Sequence, residues 1–341
     1  MESKKIVLLE GDGIGPEISE AVRYILEAAG ARIEWLPCVA GENAVREFGV
    51  PLPQETLTAI RECGVALKGP IATAVGLENG QVKGFRSVNV QLRQELDLFA
   101  NVRPLRSIPE IKTRYENVDL VVIRENTEGL YSGLELEVTP GVVTSLKVAT
   151  KKACTRIAEF AFAYAEKHGR RRVTGVHKAN IMKLSDGLAL ECYRAVANQH
   201  PAIQYDERII DAMAMALVLD PTPFDVLVME NLYGDILSDL GAGLIGGLGL
   251  APSANIGFTA AVFEAVHGSA PDIAGKGIAN PTALLLSAVE MLRHLSLEEP
   301  AQRITSALTR TIAVESARTK DLGGSASTMQ FAQEVVKRLD E

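Results

Sequence analysis

The chain has 341 residues, a formal net charge of -8 and 47% hydrophobic residues. A chain of this length can bury one large core or two smaller cores without disulfide bonds, and its 23% charged residues exclude a disordered or fibrous protein. The acidic balance argues against nucleic acid as a partner and, at first sight, against any strongly anionic ligand.

The cysteines and the apolar runs indicate the compartment. The four cysteines, at positions 38, 63, 154 and 192, form no C-x-x-C pair and no metal-ligand spacing, which predicts inert thiols in a reducing compartment. The apolar run IVLL near the start is shorter than the roughly 7–15 residues of a secretory signal. No run approaches the ~20 apolar residues of a membrane span. We therefore expect a cytoplasmic protein without a membrane partner, or a matrix protein if this is a mature mitochondrial chain.

Apolar runs alternate with helical patterns along the first hundred residues. We predict strands over 5–9, 32–37 and 65–68, and helices over 18–29 and 52–63. Pro16 suits a first helical turn, where its missing N–H costs nothing. Alternating strands and helices predict an α/β fold with a central, mostly parallel sheet.

The middle of the chain has a different pattern. We predict strands over 118–124, 172–177 and 224–229, helices over 152–168 and 231–240, and a hairpin over 134–149. The hairpin alternates around the turn Pro140-Gly141. Hairpins of this kind are often arms, so we expect this one to project or to pair with another chain.

The last third begins with a glycine-rich transition over 241–257 that contains Pro252. A helix is predicted over 281–294, and a turn over 319–324 precedes a terminal amphipathic helix. We predict two domains. The larger, discontinuous one comprises 1–99 and 255–341, and the smaller one comprises 100–254.

The first motif with possible chemistry is the glycine cluster G-D-G-I-G-P-E at residues 11–17. It fails the dinucleotide fingerprint G-x-G-x-x-G because Pro16 occupies the position of the last glycine. Alone, this cluster indicates only a tight turn between a strand and a helix.

Five of the arginines between residues 86 and 124 form a candidate cationic cluster, with three neutral hydrogen-bonding side chains within or just beyond that stretch. These are Arg86, Arg93, Arg103, Arg106 and Arg124, with Ser87, Asn89 and Tyr131. Arginine forks bind carboxylates with two hydrogen bonds, although for any single arginine other than Arg124 a solvated surface charge is the favoured interpretation. Arg124 directly follows an apolar strand, at the end where α/β folds bind ligands. The cluster therefore predicts a polycarboxylate ligand.

Acidic side chains and one lysine form two further candidates. Asp235 and Asp239 share one helix face, where like charges repel unless a cation lies between them. With Asp211 they offer the oxygen ligands that suit Mg²⁺ or Mn²⁺. The alternative is that Asp239 is a solvated helix residue, and the local spacing does not decide between the two. Lys178 follows a strand and is either a tuned acid or base or a surface lysine. The local spacing leaves both alternatives open.

The segment 264–280 is rich in glycine, serine and proline and is too long for a simple turn. Such loops are often functional. It could wrap a nucleotide with its backbone N–H groups while His267 and Asn280 contact adenine. The alternative is a purely structural connection.

Six blocks carry a resemblance to a known family. They are GDGIGPEI, SVNVQLRQELDLFANVRP, RENTEGLYSG, VHKANIMK, NLYGDILSDL and EAVHGSAPDIAGKGIANPTALLLSA. In this order they resemble the β-decarboxylating dehydrogenases, which include isocitrate and isopropylmalate dehydrogenases. The resemblance implies a discontinuous two-domain α/β fold, distinct from the Rossmann fold, in which a clasp-like hairpin joins two subunits of a homodimer or a higher homo-oligomer.

The resemblance also implies residue roles. It assigns the substrate carboxylates to three arginines, the variable substrate group to two neutral side chains, acid–base work to a tyrosine and a lysine, and Mg²⁺ or Mn²⁺ to three aspartates. These are Arg93, Arg103 and Arg124; Ser87 and Asn89; Tyr131 and Lys178; and Asp211, Asp235 and Asp239. Lys178 and Asp211 would reach the site from the partner subunit.

Within the family, RENTEGLYSG with Ser87 and Asn89 resembles the isocitrate branch, which implies oxidative decarboxylation of isocitrate to 2-oxoglutarate with NAD. Homoisocitrate is the nearest rival substrate, followed by isopropylmalate, tartrate and malate, and a non-catalytic regulatory subunit is a further alternative. Asp272 can accept from a ribose hydroxyl but repels a 2′-phosphate, and NADP-preferring relatives tend to carry Lys and Tyr at positions 272 and 273. The implied cofactor contacts are Glu264, His267, Gly268, Ser269, Ala270, Asp272, Ile273 and Asn280.

Overall fold

The computed structural model describes residues 3–72, 76–78, 81–83 and 87–341. Arg86, one member of the predicted arginine cluster, lies outside the described residues. Within them, fourteen strands and eleven α-helices form. The strands are β1 Lys4–Leu9, β2 Ile33–Cys38, β3 Val65–Lys68, β4 Gly76–Glu78, β5 Gln81–Lys83, β6 Ala100–Arg106, β7 Asp119–Glu125, β8 Glu135–Thr139, β9 Val142–Ser145, β10 Arg172–His177, β11 Gln204–Ile209, β12 Val226–Met229, β13 Pro252–Ile256 and β14 Ala261–Ala265. The helices are α1 Gly15–Ala28, α2 Glu42–Phe48, α3 Gln54–Cys63, α4 Val88–Glu95, α5 Lys151–Lys167, α6 Ser185–Ala197, α7 Ile210–Leu219, α8 Asn231–Leu244, α9 Thr282–His294, α10 Glu298–Ala313 and α11 Thr328–Lys337.

The chain divides into two compact units. The first unit comprises Met1–Leu96, Ile108–Lys112 and Gly246–Glu341, and the second comprises Asp97–Ser107 and Thr113–Ile245. The first unit is thus built from both ends of the chain, whereas the second is close to continuous.

Each unit has a mostly parallel set of five strands. In the first unit the order is β13-β14-β3-β1-β2, in which only β13 runs antiparallel to its neighbour in the unit. In the second unit the order is β11-β10-β12-β7-β6, and there only β6 is antiparallel. Helices supply the apolar faces that cover these strands: α9, for example, buries nine of its residues. The predicted α/β class with a mostly parallel central sheet is confirmed.

Several predicted elements change their bounds in the structure. The transition predicted over 241–257 is wrong, because α8 continues to Leu244 and β13 begins at Pro252. Proline is compatible with the first residue of a strand because it has no N–H to donate to a ladder. The sequence pattern also missed β14, so that Glu264 belongs to a strand rather than to the start of a loop.

The hairpin is confirmed as β8 and β9, and all of its strand residues are exposed in the single chain. Within the described ranges, no helix combines the length and the apolar character needed to cross a bilayer.

A buried ion pair ties β3 to β14 in the first unit. Lys68 and Glu264 face each other in the strand register, and Lys68 Nζ lies 2.6 Å from Glu264 Oε2. Asn255 Nδ2 donates to Glu264 Oε1 at 2.7 Å, and Arg93 Nη2 lies 3.6 Å from the same oxygen. Burial opposes ionisation of Glu264, but the charges of Lys68 and Arg93 outweigh it and lower the pKa of Glu264 to about 2.

We expect Glu264→Gln to lower the free energy of unfolding by about 3–5 kcal/mol at pH 7, because Lys68 is left buried without its counter-ion. The pKa of this carboxyl is 4.5 ordinarily and about 2 in the folded chain. Its stabilisation is therefore complete above pH 4.5 and is lost as the pH falls toward 2. Urea unfolding should give a difference between wild type and variant that is smaller at pH 3.5 than at pH 7. The exposed Glu62→Gln is the control, and equal stability of Glu264→Gln and wild type at pH 7 would contradict the expectation.

Candidate active site

Arg124 is the centre of the charged residues in the second unit. It lies near the carboxyl end of β7 and is only 1% exposed. Its Nε and Nη2 both donate to Asn231 Oδ1, at 2.9 and 2.6 Å, and its Nη1 forms an ion pair with Asp235. Asn231 Nδ2 in turn donates to the Glu128 carbonyl at 3.0 Å, which fixes the orientation of the amide. The guanidinium is thereby held by the first two turns of α8.

Two residues allow α8 to begin beside Arg124, namely Glu230 and Gly234. The carboxylate of Glu230 caps the helix by accepting from the backbone N–H groups of Leu232 and Tyr233. Gly234 then faces Arg124 so closely that a Cβ at this position would lie 2.6 Å from Arg124 Cβ and 2.5 Å from its Cγ. Because glycine has no side chain, Arg124 can pass over the helix and reach Asp235.

A second buried arginine completes what we name the arginine–aspartate cluster, which consists of Arg103, Arg124, Asp235 and Asp239. Arg103 Nη1 donates to Ser238 Oγ at 2.5 Å and to Asp239 Oδ1 at 2.8 Å, and its Nη2 lies 3.7 Å from Asp235 Oδ1. Burial opposes ionisation of Asp235, but Arg124, Tyr131 and Arg103 together hold its pKa below the ordinary value. Both aspartates are thus placed beside fixed positive charge.

Tyr131 joins this cluster from the short 3-10 turn Leu130–Ser132. Its hydroxyl donates to Asp235 Oδ2, and its ring lies 5.0 Å from the Arg124 guanidinium carbon. Burial raises the pKa of Tyr131, and the hydrogen bond to Asp235 raises it further. The phenol is therefore protonated at neutral pH.

Lys178 follows β10 directly and is paired with the third predicted metal ligand. Its Nζ donates to Asp211 Oδ1 at 2.6 Å, and this hydrogen bond lowers the pKa of Asp211, which lies in the first turn of α7. The backbone N–H of Lys178 donates to the buried Asp186 at 2.7 Å, and Lys147 Nζ holds the other oxygen of Asp186 at 2.6 Å. The lysine is thus fixed at both its backbone and its amino group.

The three predicted metal ligands do not all meet in one chain. Among the described residues, no group of three potential metal-ligating His, Cys, Asp or Glu side chains comes together. Asp235 and Asp239 are adjacent on α8, whereas Asp211 is engaged by Lys178. The carboxylates of all three are accessible, with 38%, 54% and 69% of the respective side chains exposed. An all-oxygen, accessible donor set fits a hard divalent cation.

The predicted substrate residues of the first unit lie on or beside α4. Ser87 precedes the helix, Asn89 is in its first turn, and Arg93 is in its last turn. Arg93 is largely buried and contacts Glu264. The side-chain oxygen of Asn89 is buried and has no hydrogen-bond partner within the described part of the chain, which leaves it able to accept from a ligand.

In the predicted cofactor loop, one ring nitrogen of His267 has no partner among the described residues, whereas the side chain of Asn280 is already hydrogen-bonded. His267 Nδ1 lies 3.0 Å from the Gly268 carbonyl, and because a carbonyl only accepts, Nδ1 carries the proton. Nε2 is then an acceptor, and it is buried with no partner in the described ranges. Burial lowers the pKa of His267, so the ring is neutral at pH 7. Asn280, by contrast, donates to Asp321 at 2.8 Å and accepts from the Thr282 N–H at 2.9 Å.

The remaining predicted cofactor residues differ in exposure and in backbone conformation. Asp272 is exposed, Ile273 and Ser269 are partly exposed, and Gly268 is exposed. Ala270 has a positive φ of 40°. Glu264 is taken up by the ion pair with Lys68. Sequence reasoning missed Asn231 and Ser238, which hold the two arginines; their only signal is that both lie in the block NLYGDILSDL.

The chain is similar to known proteins over nearly its whole length. The family model described as isocitrate/isopropylmalate dehydrogenase matches residues 5–336. The chain is 56% identical over 333 residues to isocitrate dehydrogenase [NAD] catalytic subunit 5, mitochondrial, of Arabidopsis thaliana, covering 97% of this chain and 87% of that protein. It is 57% identical over 310 residues to 3-isopropylmalate dehydrogenase, chloroplastic, of Solanum tuberosum, covering 91% and 85%. The crystal structure of isocitrate dehydrogenase from Methylococcus capsulatus superposes with a TM-score of 0.94 at 48% identity, covering 99% of both chains.

We expect Gly234→Ala to lower the free energy of unfolding by about 1–3 kcal/mol, because the added methyl group overlaps the Arg124 side chain. Gly243→Ala on the same helix is the control, since a Cβ there meets nothing within 4 Å in the described chain, and alanine raises helix stability by roughly 0.5–1 kcal/mol. Urea unfolding measures both. If the two substitutions stabilise equally, the close packing of Gly234 on Arg124 is wrong.

Proposed function

Because the chain belongs to the isocitrate/isopropylmalate dehydrogenase family, we propose that it oxidatively decarboxylates isocitrate to 2-oxoglutarate and CO₂ with NAD as the hydride acceptor. The observation that carries the proposal is the arginine–aspartate cluster with Tyr131. It brings together two cations for carboxylates, two oxygen ligands for a divalent cation and a protonated phenol. Relatives named as NAD isocitrate dehydrogenase subunits favour isocitrate over the other acids.

Substrate binding rests on the arginines. Arg93, Arg103 and Arg124 would each offer a planar guanidinium to the carboxylates, and all three are largely buried, which strengthens charge-assisted hydrogen bonds. Ser87 and Asn89 would contact the substrate group that varies across the family. The unpartnered oxygen of Asn89, as described in the structure, supports this role.

The metal would be Mg²⁺ or Mn²⁺, held by Asp235 and Asp239 and by Asp211 of the partner subunit. The all-oxygen, solvent-accessible donors support that assignment. When bound, such a cation supplies Lewis-acid polarisation of the oxygen that is oxidised. The arginines that flank Asp235 and Asp239 keep both carboxylates in position before any cation arrives.

Proton transfer falls to Lys178 and Tyr131. Lys178 of the partner subunit, directly or through water or an aspartate, would take the proton of the substrate hydroxyl. NAD, when bound, would supply the acceptor for the hydride on the same carbon. CO₂ leaves with its bonding electrons remaining on the substrate as an enolate. Tyr131 then gives its proton to the enolate carbon, and the raised pKa of its phenol keeps that proton available.

Cofactor binding is proposed for the segment 264–280 of the first unit, and the second unit would carry the metal ligands and the hairpin arm. His267 Nε2 can accept from an amino group such as that of adenine, and Asp272 is exposed and can accept from a ribose hydroxyl. Glu264 acts through Lys68 and Arg93, which it holds in place. The contacts of Gly268, Ser269, Ala270, Ile273 and Asn280 with NAD stay predictions.

The exposed hairpin and the names of relatives bear on the assembly and the compartment. Leu136, Val138 and Val143 of the hairpin are each at least 60% exposed in the single chain, which supports a homodimer joined by this arm. One relative, at 50% identity, is named a regulatory subunit, so a heteromer is the alternative assembly. Several relatives are named mitochondrial, in agreement with the matrix alternative, and a cytoplasmic location stays a prediction.

A substrate panel tests the function directly. The purified chain, with Mg²⁺ or Mn²⁺, is given isocitrate, homoisocitrate, isopropylmalate or malate, each with NAD and with NADP. We expect the highest kcat/KM for isocitrate with NAD. A higher value for homoisocitrate would make the substrate assignment wrong, and a preference for NADP would contradict the role of Asp272. Absence of turnover with all four acids would favour a regulatory subunit.

Tyr131→Phe tests the proton donor. Loss of the phenolic proton should reduce kcat by about 10²-fold or more, while the dissociation constant of NADH stays unchanged because Tyr131 is not among the residues proposed to contact NAD. Tyr24→Phe, on the surface of α1, is the matched control. Steady-state kinetics and NADH fluorescence give both readouts. An unchanged kcat for Tyr131→Phe would remove this residue from the mechanism.

A further inference from the structure

We propose that residues 11–17, between β1 and α1, are the mount of the cofactor loop, and that Glu17 is a positioning residue for cofactor binding. The cofactor loop is defined here as residues 266–280. The inference rests on the proposed function, since it concerns the segment assigned to NAD. It gives a role to the glycine cluster that, in the sequence alone, indicates only a tight turn.

The first contact of the mount fixes the beginning of the loop. The backbone N–H of Ile14 donates to the carbonyl of Ser269 at 2.9 Å. Gly13, with a φ of +59°, lies so close that a Cβ would come within 2.0 Å of the same carbonyl oxygen. Only glycine combines this backbone conformation with this approach. The spacing of the glycine cluster is therefore set by contact with the loop as well as by the turn.

The second contact fixes the end of the loop. Glu17 Oε2 accepts from the backbone N–H of Gly277 at 3.1 Å, and Oε1 accepts from that of Ala279 at 3.3 Å. Hydrogen bonds to a carboxylate are stronger than neutral ones. Glu17 lies in the first turn of α1, where the helix dipole favours a negative charge. One side chain thus holds two neighbouring donors of a segment that is more than 250 residues away in sequence.

The mount is itself rigidly attached. The buried Asp12 accepts from the backbone N–H groups of Glu42 and Ala72, at 3.0 and 2.9 Å, and its own N–H donates to the Pro70 carbonyl at 2.7 Å. These bonds connect residues 11–17 to the segments that follow β2 and β3. The loop is therefore fastened to the body of the first unit and not merely to a flexible neighbour.

The consequence concerns the residues between the two contacts. Asp272 and Ile273, the positions implied in cofactor choice, lie between Ser269 and Gly277, and both ends of that stretch are held. A loop held in its binding conformation loses less conformational entropy when a ligand arrives. The N–H groups of Gly277 and Ala279 already have acceptors, so they are not the donors that a cofactor phosphate would use. Glu17 therefore acts on the cofactor through the loop.

Three variants test the proposal in the full-length protein. Glu17→Ala removes both acceptors, Glu17→Gln keeps one oxygen but loses the charge, and Glu20→Gln is the control because it removes an exposed carboxylate from the same helix. We expect the dissociation constant of NADH and the KM for NAD to rise about tenfold in Glu17→Ala and by a smaller factor in Glu17→Gln. The KM for isocitrate, and kcat at saturating NAD, should stay within about twofold of wild type, because neither Glu17 nor the two backbone donors it holds belongs to the proposed substrate or metal residues.

Amide hydrogen exchange supplies a readout that needs no cofactor. Peptides that contain residues 270–280 should exchange faster in Glu17→Ala and Glu17→Gln, while peptides from β1 and α9 keep wild-type protection. Unchanged exchange or an unchanged NADH dissociation constant in Glu17→Ala overturns the proposal. So does a parallel rise of the KM for isocitrate and for NAD, which indicates general loss of structure. If wild type itself binds no NADH, the proposed function fails, and the exchange data alone decide whether the mount exists.

Discussion

A guanidinium buried at the end of a strand determines much of the second unit. Arg124 is nearly inaccessible, and a buried charge is tolerated only when it is paired and hydrogen-bonded. The chain meets this requirement with the first two turns of α8, where Asn231 accepts twice, Gly234 leaves space and Asp235 supplies the counter-charge. The spacing of these three residues is therefore dictated by one side chain on a different element. Tyr131 and Arg103 then use the remaining faces of the same aspartate.

The first unit solves a similar problem by similar means. Lys68 is the last residue of β3, and its charge is balanced by Glu264 on the adjacent strand, with Arg93 nearby. In both units, cations lie at the carboxyl ends of parallel strands, which is where α/β folds bind ligands. The net charge of -8 averages over these sites and says little about them. A chain that is acidic overall thus provides local positive charge for an anionic substrate.

Local patterns predicted the strands well where they are apolar and uninterrupted. The bounds of β3 and β10 agree with those predicted from sequence. Proline and charge hid other strands: β6 contains Arg103 and Pro104, and β13 starts at Pro252, so neither has the apolar run on which the prediction depends. Arg124 stood out because it follows such a run. Its partner Asn231 did not, since nothing local marks a residue whose role is to accept from a strand more than a hundred residues earlier. Glu17, which accepts from backbone N–H groups of the cofactor loop, has no local signal in the sequence for the same reason.

The division of the chain into units has a consequence for how the protein is made. The second unit is almost continuous, so its strands can pair as soon as the ribosome has delivered residue 245. The first unit is different, because residues made early need partners that are made late. The strand β3 pairs with β14, and Glu17 accepts from Gly277 and Ala279. Contacts of such sequence separation form slowly. The N-terminal third of the nascent chain must therefore remain incompletely folded, with β3 lacking one neighbour, until the C-terminal third is synthesised. During this interval the edge of β3 that later pairs with β14 is open, and chaperones can protect it.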